Sequence, residues 1–169
     1  MNSNCACEML IVINGTIGVG KTSISKCLAS EIAGAILIEG DSLGFASPTN
    51  DYVLNAGIDL ISVLRKNGTK VIIFDMFFDD SQKLDWFISQ VGLQSQVFYL
   101  LANEEELSNR IRQRARPRAE SEIFDSKRLR QIQNRMKNRG IEIDTNGKSA
   151  DEITAKIKKL ISANLEAIF

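Results

Sequence analysis

Apolar residues along the chain fall into two rhythms that alternate from one end to the other. Short continuous runs, Met9–Ile13, Ala35–Ile38 and Val71–Phe74, read as buried strands, with Gln96–Leu101 as a fourth strand and Ile141–Asp144 as a short fifth. Between them lie segments with apolar residues three and four apart. Lys21–Ile32 carries Ile24, Cys27, Leu28 and Ile32; Asp51–Lys66 carries Val53, Leu54, Ile58 and Ile61; Leu84–Val91 carries Phe87 and Val91. That spacing predicts helices with one apolar stripe each. Gly34, Gly92 and Gly140 stand where helices need to stop, and Asn67-Gly68 does the same. Asn103 followed by Glu104–Glu106 is a helix start running towards Ala115, where Pro117 disfavours helical geometry at Arg116. A polar segment to Ser126 leads into a charged helix around Lys127–Lys137, and Ser149–Glu152 is a capping box opening the last helix. Strand and helix in alternation predict an α/β domain: a five-stranded parallel sheet with right-handed crossovers and helices on both faces, three layers in all.

The first strand runs directly into Gly15-Thr16-Ile17-Gly18-Val19-Gly20-Lys21-Thr22-Ser23, the P-loop pattern in its strand-to-helix setting. Glycines there let the backbone bring N–H groups around phosphate oxygens. Lys21 supplies a point charge for the β- and γ-phosphates, and Thr22 a hydroxyl for Mg²⁺. The helix beginning at Lys21 adds the positive end of its dipole. A nucleoside triphosphate with Mg²⁺ is the expected ligand.

In parallel sheets, ligands collect beyond the carboxyl ends of the strands. That rule brings Asp41, Asp75 and the Thr145–Lys148 turn next to the phosphate loop. Asp41, two residues past the second strand, could take the proton of an attacking hydroxyl, hold magnesium through water, or simply close its own turn. Asp75 ends the third strand in the position of a magnesium-associated acid, against the plainer reading of a loop acid. Asp79 and Asp80 read as a helix start.

Charge changes the picture locally. The 169 residues hold 21 basic and 21 acidic side chains, so no global field points to nucleic acid or an anionic membrane. Yet Arg110, Arg112, Arg114, Arg116 and Arg118 crowd into nine positions with no acid among them. Arginines on a mobile cover, at about residues 114–126, would stabilise a transferring phosphoryl group and exclude water. The aromatic interleaving of an RNA-binding patch is absent, and no nucleic-acid partner is expected.

The chain contains no histidine, so a general base has to be a carboxylate or lysine. Cys5, Cys7 and Cys27 are odd in number, without a second pair to complete a zinc site, and read as free thiols. Residues 1–8 form a polar tail without the features of a secretion signal, expected to be flexible, and no apolar run approaches a membrane span. A cytoplasmic single domain over 1–169, monomeric or homodimeric, is the expectation.

These motifs together resemble the small P-loop kinases of the shikimate, gluconate and adenylylsulfate kinase group. The closest likeness is to chloramphenicol phosphotransferase-like kinases that modify antibiotics or metabolites. The resemblance rests on Asn14–Thr22, Gly40–Leu43 with Pro48 after it, Val71–Asp75, Leu107-x-x-Arg110-x-x-x-Arg114 with Arg116-Pro117, and Asp144-Thr145 before Ser149–Glu152. It implies an ATP- and Mg²⁺-dependent transfer of the γ-phosphate to a hydroxyl of a small molecule. In that scheme Lys21, Asp41, Arg114 and Arg116 act in catalysis. Gly15–Ser23 and Arg110 hold the nucleotide, with Asn146 and Lys148 flanking the adenine. Thr22, Asp41 and Asp75 are associated with the metal. Asp41, Asp75 and Phe77 belong to the acceptor side, with Asn50–Leu64 and Phe77–Phe87 lining its pocket. The arginine by which shikimate and nucleoside-monophosphate kinases hold an anionic acceptor is missing from Asn50–Leu64, and Arg65 lies at the far end of that helix. The acceptor is therefore expected to be neutral or cationic. The guanine-reading Asn-Lys-x-Asp pattern is absent as well, which favours ATP. A nucleoside or nucleoside-monophosphate kinase is the alternative within the same chemistry, and a nucleotide-gated regulatory module the alternative outside it.

Overall fold

The computed structural model describes residues 8–44, 50–114, 117–134 and 139–166. Its strands are β1 (Met9–Gly15), β2 (Ala35–Glu39), β3 (Val71–Asp75), β4 (Gln94–Leu101) and β5 (Ile141–Asp144). The helices are α1 (Lys21–Glu31), α2 (Gly40–Leu43), α3 (Asn50–Lys66), α4 (Ser81–Val91), α5 (Glu104–Gln113), α6 (Ala119–Gln133) and α7 (Ala150–Glu166). All four strand pairings are parallel, in the order β2-β3-β1-β4-β5. The expected three-layer α/β fold is present.

Central β1 explains why its apolar run is unbroken. Leu10 and Val12 face one layer, against Leu54 and Ile61 of α3 and Leu84 and Phe87 of α4. Met9, Ile11 and Ile13 face the other, against Ile24 and Leu28 of α1 and Ile153 and Ile157 of α7. A strand buried on both faces has no polar side to alternate with. β2 departs from that expectation. It is one of the two outer strands of the sheet, only Ile38 in it is fully buried, and Ile36 is exposed. Its apolar composition reflects pairing with β3 rather than burial on both faces.

On the α3–α4 side, Phe74, Phe78 and Phe87 pack ring against ring, with the Phe74–Phe87 centroids 4.7 Å apart. A Cβ at Gly57 of α3 would lie 2.8 Å from Phe74 Cε2, so this helix approaches the trio as only a glycine allows.

The second departure is α6, which begins at Ala119, well before the charged helix expected around Lys127–Lys137. Glu120 and Glu122 stand in its first turn, Ile123 and Ser126 turn inward, and Phe124 is exposed. With so few apolar positions its stripe is nearly invisible in the sequence. Half of the segment expected as a cover is thus helix packed against α5. Among the described residues no helix is long and apolar enough to cross a membrane. Expectations for Cys5, Cys7, Pro48 and Arg116 lie outside the described residues.

Candidate nucleotide and acceptor site

The phosphate loop spans from the end of β1 to the start of α1, and its shape is held from outside. Gly18 and Gly20 adopt φ of +85° and +102°, a region that side chains other than glycine rarely enter. Ser126 Oγ of α6 donates to the Ile17 carbonyl at 3.0 Å, and Arg110 Nη1 of α5 donates to the Val19 carbonyl at 3.0 Å. In a trans peptide the carbonyl of one residue and the N–H of the next point in opposite directions. Pinning those two carbonyls outward therefore turns the N–H groups of Gly18 and Gly20 away from α5 and α6, the orientation an anion needs.

Below the loop sits a charged group around Asp75 and Lys21. Asp75 is 4% exposed, paired in register with Ile13 at the end of β1. Burial pushes its carboxyl up to about 6, with Lys21 and a hydrogen bond from the Thr22 hydroxyl opposing that rise and the Asp41 and Glu39 charges adding to it. Lys21 is held below the ordinary lysine range by burial, with Asp75 and then Asp41 opposing and Arg114 adding to the effect. The parallel register delivers this arrangement, because it carries β2 and β3 to the same height as the phosphate loop.

Two cavities open on either side of the loop. One, of about 420 Å³, is bounded by Gly18, Val19 and Gly20, by Arg110 and Arg114, and by Thr145, Lys148 and Ala150. The other, of about 500 Å³, is bounded by Lys21 and Thr22, by Lys26, Glu39 and Asp41, and again by Arg114. Gly18, Gly20 and Arg114 line both, so the cavities meet at the phosphate loop.

Arg110 directs all three of its guanidinium nitrogens to the protein. Nε and Nη2 meet Glu106 Oε1, Nη1 meets the Val19 carbonyl and the Thr145 hydroxyl, and Nη2 meets the Thr145 carbonyl. Thr145 in turn donates its hydroxyl to the Leu101 carbonyl at 3.0 Å. Glu106 turns to Arg110 rather than back along the chain. The expected α5 cap is therefore made by Asn103 alone, whose Oδ1 accepts from Glu106 N at 2.8 Å.

The four described arginines of the run do not form one cover. Arg110 is inward, Arg112 reaches Glu120 at 3.3 Å on the surface, and Arg114 faces the cavities. The Arg118 backbone caps α6, its carbonyl accepting from Ser121 Oγ and Glu122 N. Glu104 draws Lys127 and Arg130 of α6 instead, at 3.8 and 3.6 Å.

Other expected site residues lie as follows. Thr16, Ile17 and Ser23 line one cavity or the other, and Gly15 lies beneath the loop, packed on Val19 and Leu100. Lys148 lines the first cavity while donating to Asp144. Asn146 accepts from Asn103 N at 2.9 Å and donates to Asp144, tying the turn to α5. Asp75 is too deeply buried to meet an acceptor in the cavity, and Phe77 is half-buried apart from the residues lining either one. The segments expected around the acceptor line a separate cavity of about 510 Å³, with Asp51, Leu54, Lys83 and Trp86. Arg65 is committed elsewhere, to Glu8 Oε2 at 3.0 Å and the Val91 carbonyl at 3.1 Å. Glu39, Lys26 and Ser126 were not singled out from the sequence, while Thr145 was expected in the turn beside the loop. Glu39 carried one legible signal, its place at the end of a strand two residues before Asp41.

A family model described as an AAA domain matches residues 11–154, which takes in β1, the phosphate loop and every strand. The chain belongs to the AAA domain family. It is 27% identical over 167 residues to a putative adenylate kinase of Thermococcus kodakarensis, covering 90% of this chain and 85% of that one. Its fold is similar to that of a Deinococcus radiodurans tunicamycin resistance protein (TM-score 0.70, 20% identity, 91% and 95% of the two chains). It is similar also to a gluconokinase of Sinorhizobium meliloti (0.62, 19%, 91% and 95%) and to the shikimate kinase of Acinetobacter baumannii in complex with shikimate (0.61, 19%, 94% of each chain). This AAA domain therefore has the P-loop kinase fold that its motifs suggested.

Proposed function

We propose that this AAA domain protein is an ATP- and Mg²⁺-dependent phosphotransferase that moves the γ-phosphate to a hydroxyl of a small molecule. The carrying observation is the pair of cavities joined at the phosphate loop, one on the side of Arg110 and the Thr145 turn, the other holding Asp41. A two-substrate reaction needs that geometry: donor and acceptor on opposite sides of the phosphoryl group.

Nucleotide would lie with its base towards Arg110 and Thr145 and its phosphates against Gly15–Thr22. Arg114, at the junction, would meet the charge that develops on the transferring group, together with Lys21. The Asp41 carboxylate makes no hydrogen bond or ion pair among the described residues, which leaves it available to orient the acceptor hydroxyl and receive its proton.

The residues present suit magnesium. Among the described residues no three carboxylate, cysteine or histidine side chains form a ready metal cage. The Thr22 hydroxyl and the Asp75 carboxylate are hard oxygen ligands for an ion that arrives with phosphates and keeps some of its water. When bound, magnesium would offset charge on the β- and γ-phosphates.

A coupled ADP-release assay over sugars, antibiotics, nucleosides and nucleoside monophosphates tests the proposal. Acceptor-dependent turnover supports it; ATP binding without turnover on any acceptor contradicts it. The likeness to a putative adenylate kinase favours a second reading, transfer to a nucleoside monophosphate. Against that reading, Arg114 is the sole arginine lining the Asp41 cavity among the described residues, and it already faces the donor.

A further inference from the structure

The cavity that holds Asp41 contains a second carboxylate. Glu39 is the last residue of β2 and Asp41 stands in the first turn of α2, so both sit where β2 ends. Across from them, Thr22 and Lys26 lie one turn apart on the same face of α1. Lys26 Nζ is 3.1 Å from Glu39 Oε1, with the two side chains 60% and 34% exposed. An ion pair this open to water adds little to stability. What it does is line the acceptor cavity with a donor and an acceptor side by side.

We infer that the Glu39–Lys26 pair selects the acceptor, and that the acceptor is polyhydroxylated: a sugar, a polyol or a cyclitol. This rests on the phosphotransferase reading above. A hydroxyl both donates and accepts, so neighbouring hydroxyls can satisfy a carboxylate and an ammonium at once, each through a charge-assisted hydrogen bond. A further hydroxyl of the same molecule then meets Asp41. Competing acceptors fit worse. An anionic one would face Glu39 and Asp41 with Lys26 already paired, while the other cations lining the cavity, Lys21 and Arg114, are taken by the transferring phosphoryl in that reading. A monohydric alcohol that covered the pair would displace its water and replace it with a single hydroxyl, a mismatch of the kind polar sites reject.

The test measures acceptor-dependent ADP release by the full chain with ATP and Mg²⁺. D-ribose, ribitol and myo-inositol serve as polyhydroxyl probes, propan-1-ol as the monohydric one and AMP as the anionic one. Wild type is expected to turn over at least one polyhydroxyl compound and neither of the others comparably. Glu39→Gln and Lys26→Met should each raise KM for that compound about tenfold or more, with kcat within about threefold and KM for ATP unchanged. Asp41→Asn should instead lose kcat. A merely structural role for the pair would shift the thermal midpoint and leave acceptor KM alone, and that result overturns the inference. So does preference for AMP or propan-1-ol, which would leave the phosphotransferase reading standing. Turnover on none of the five with ATP bound overturns the inference and counts against that reading as well.

Discussion

The guanidinium of Arg110 holds both oxygens of Thr145, Nη1 donating to the hydroxyl at 3.1 Å and Nη2 to the carbonyl at 2.7 Å. The same guanidinium holds Val19 of the phosphate loop, so one side chain clasps loop and turn together. Lysine has the charge but not the planar fork. Arg110→Lys is expected to raise KM for ATP about tenfold, a loss of ~1.4 kcal/mol. Thr145→Val should cost about 1 kcal/mol of stability. Because the two residues share these bonds, the double variant should lose less than the sum, and a double-mutant cycle on nucleotide affinity measures the shortfall.

In the phosphotransferase proposed above, Lys21 would meet the transferring phosphoryl and Asp41 the acceptor hydroxyl, so their losses should differ in kind. Lys21→Met is expected to lower kcat about 100-fold or more and to weaken ATP. Asp41→Asn is expected to lower kcat by a similar factor, about 100-fold, while leaving ATP affinity close to wild type. Steady-state kinetics with equilibrium nucleotide binding separates the two outcomes.

The carboxyl of Asp75 stands at about 6 against an ordinary 3.8, so between those values the folded chain binds more protons than the unfolded one. Stability then falls as pH rises through that window. The contribution is complete below about 3.8 and lost above about 6, at most about 3 kcal/mol. Thermal midpoints of the nucleotide-free protein should decline from pH 4 towards pH 7 more steeply than those of Asp75→Asn. Magnesium nucleotide favours the ionised carboxylate, so its binding near pH 6 should release a proton, read by calorimetry in buffers of different ionisation enthalpy.

Ser126 is almost fully buried, and its bond to the Ile17 carbonyl joins α6 to the phosphate loop. Ser126→Ala would leave that carbonyl without this partner, at about 1–3 kcal/mol. Amide exchange in Ala119–Gln133 should rise while the core strands stay protected. Unchanged exchange in α6 would show that the bond does not hold the helix.

The sheet was legible because β1 and the middles of β3 and β4 are buried on both faces and carry apolar runs. Edge strand β2 looked the same in sequence, since pairing on one side favours similar residues. Helix α6 was misplaced because it buries Ile123 and Ser126 while leaving Phe124 outside, too little pattern for a period to show. At the site, glycine spacing revealed the phosphate loop, and the strand-end rule brought Asp41 and Asp75 to it. The same rule could not tell that Asp75 lies beneath Lys21 and Thr22 rather than in the open cavity. Nor could it reveal Glu39 meeting Lys26, a contact set by the height of β2 against α1. The arginine run was visible as composition, but its division among a clasp, a surface pair and a cavity wall depends on how α5 turns.

The phosphate loop is braced at Ile17 and Val19 by side chains that lie outside it. A loop already in its binding shape has little conformational freedom left to surrender. Nucleotide association should therefore carry no large entropic penalty from this segment, and its temperature dependence should follow the burial of base and ribose instead. The protein would meet its nucleotide as a rigid cradle, with adaptation left to the acceptor side.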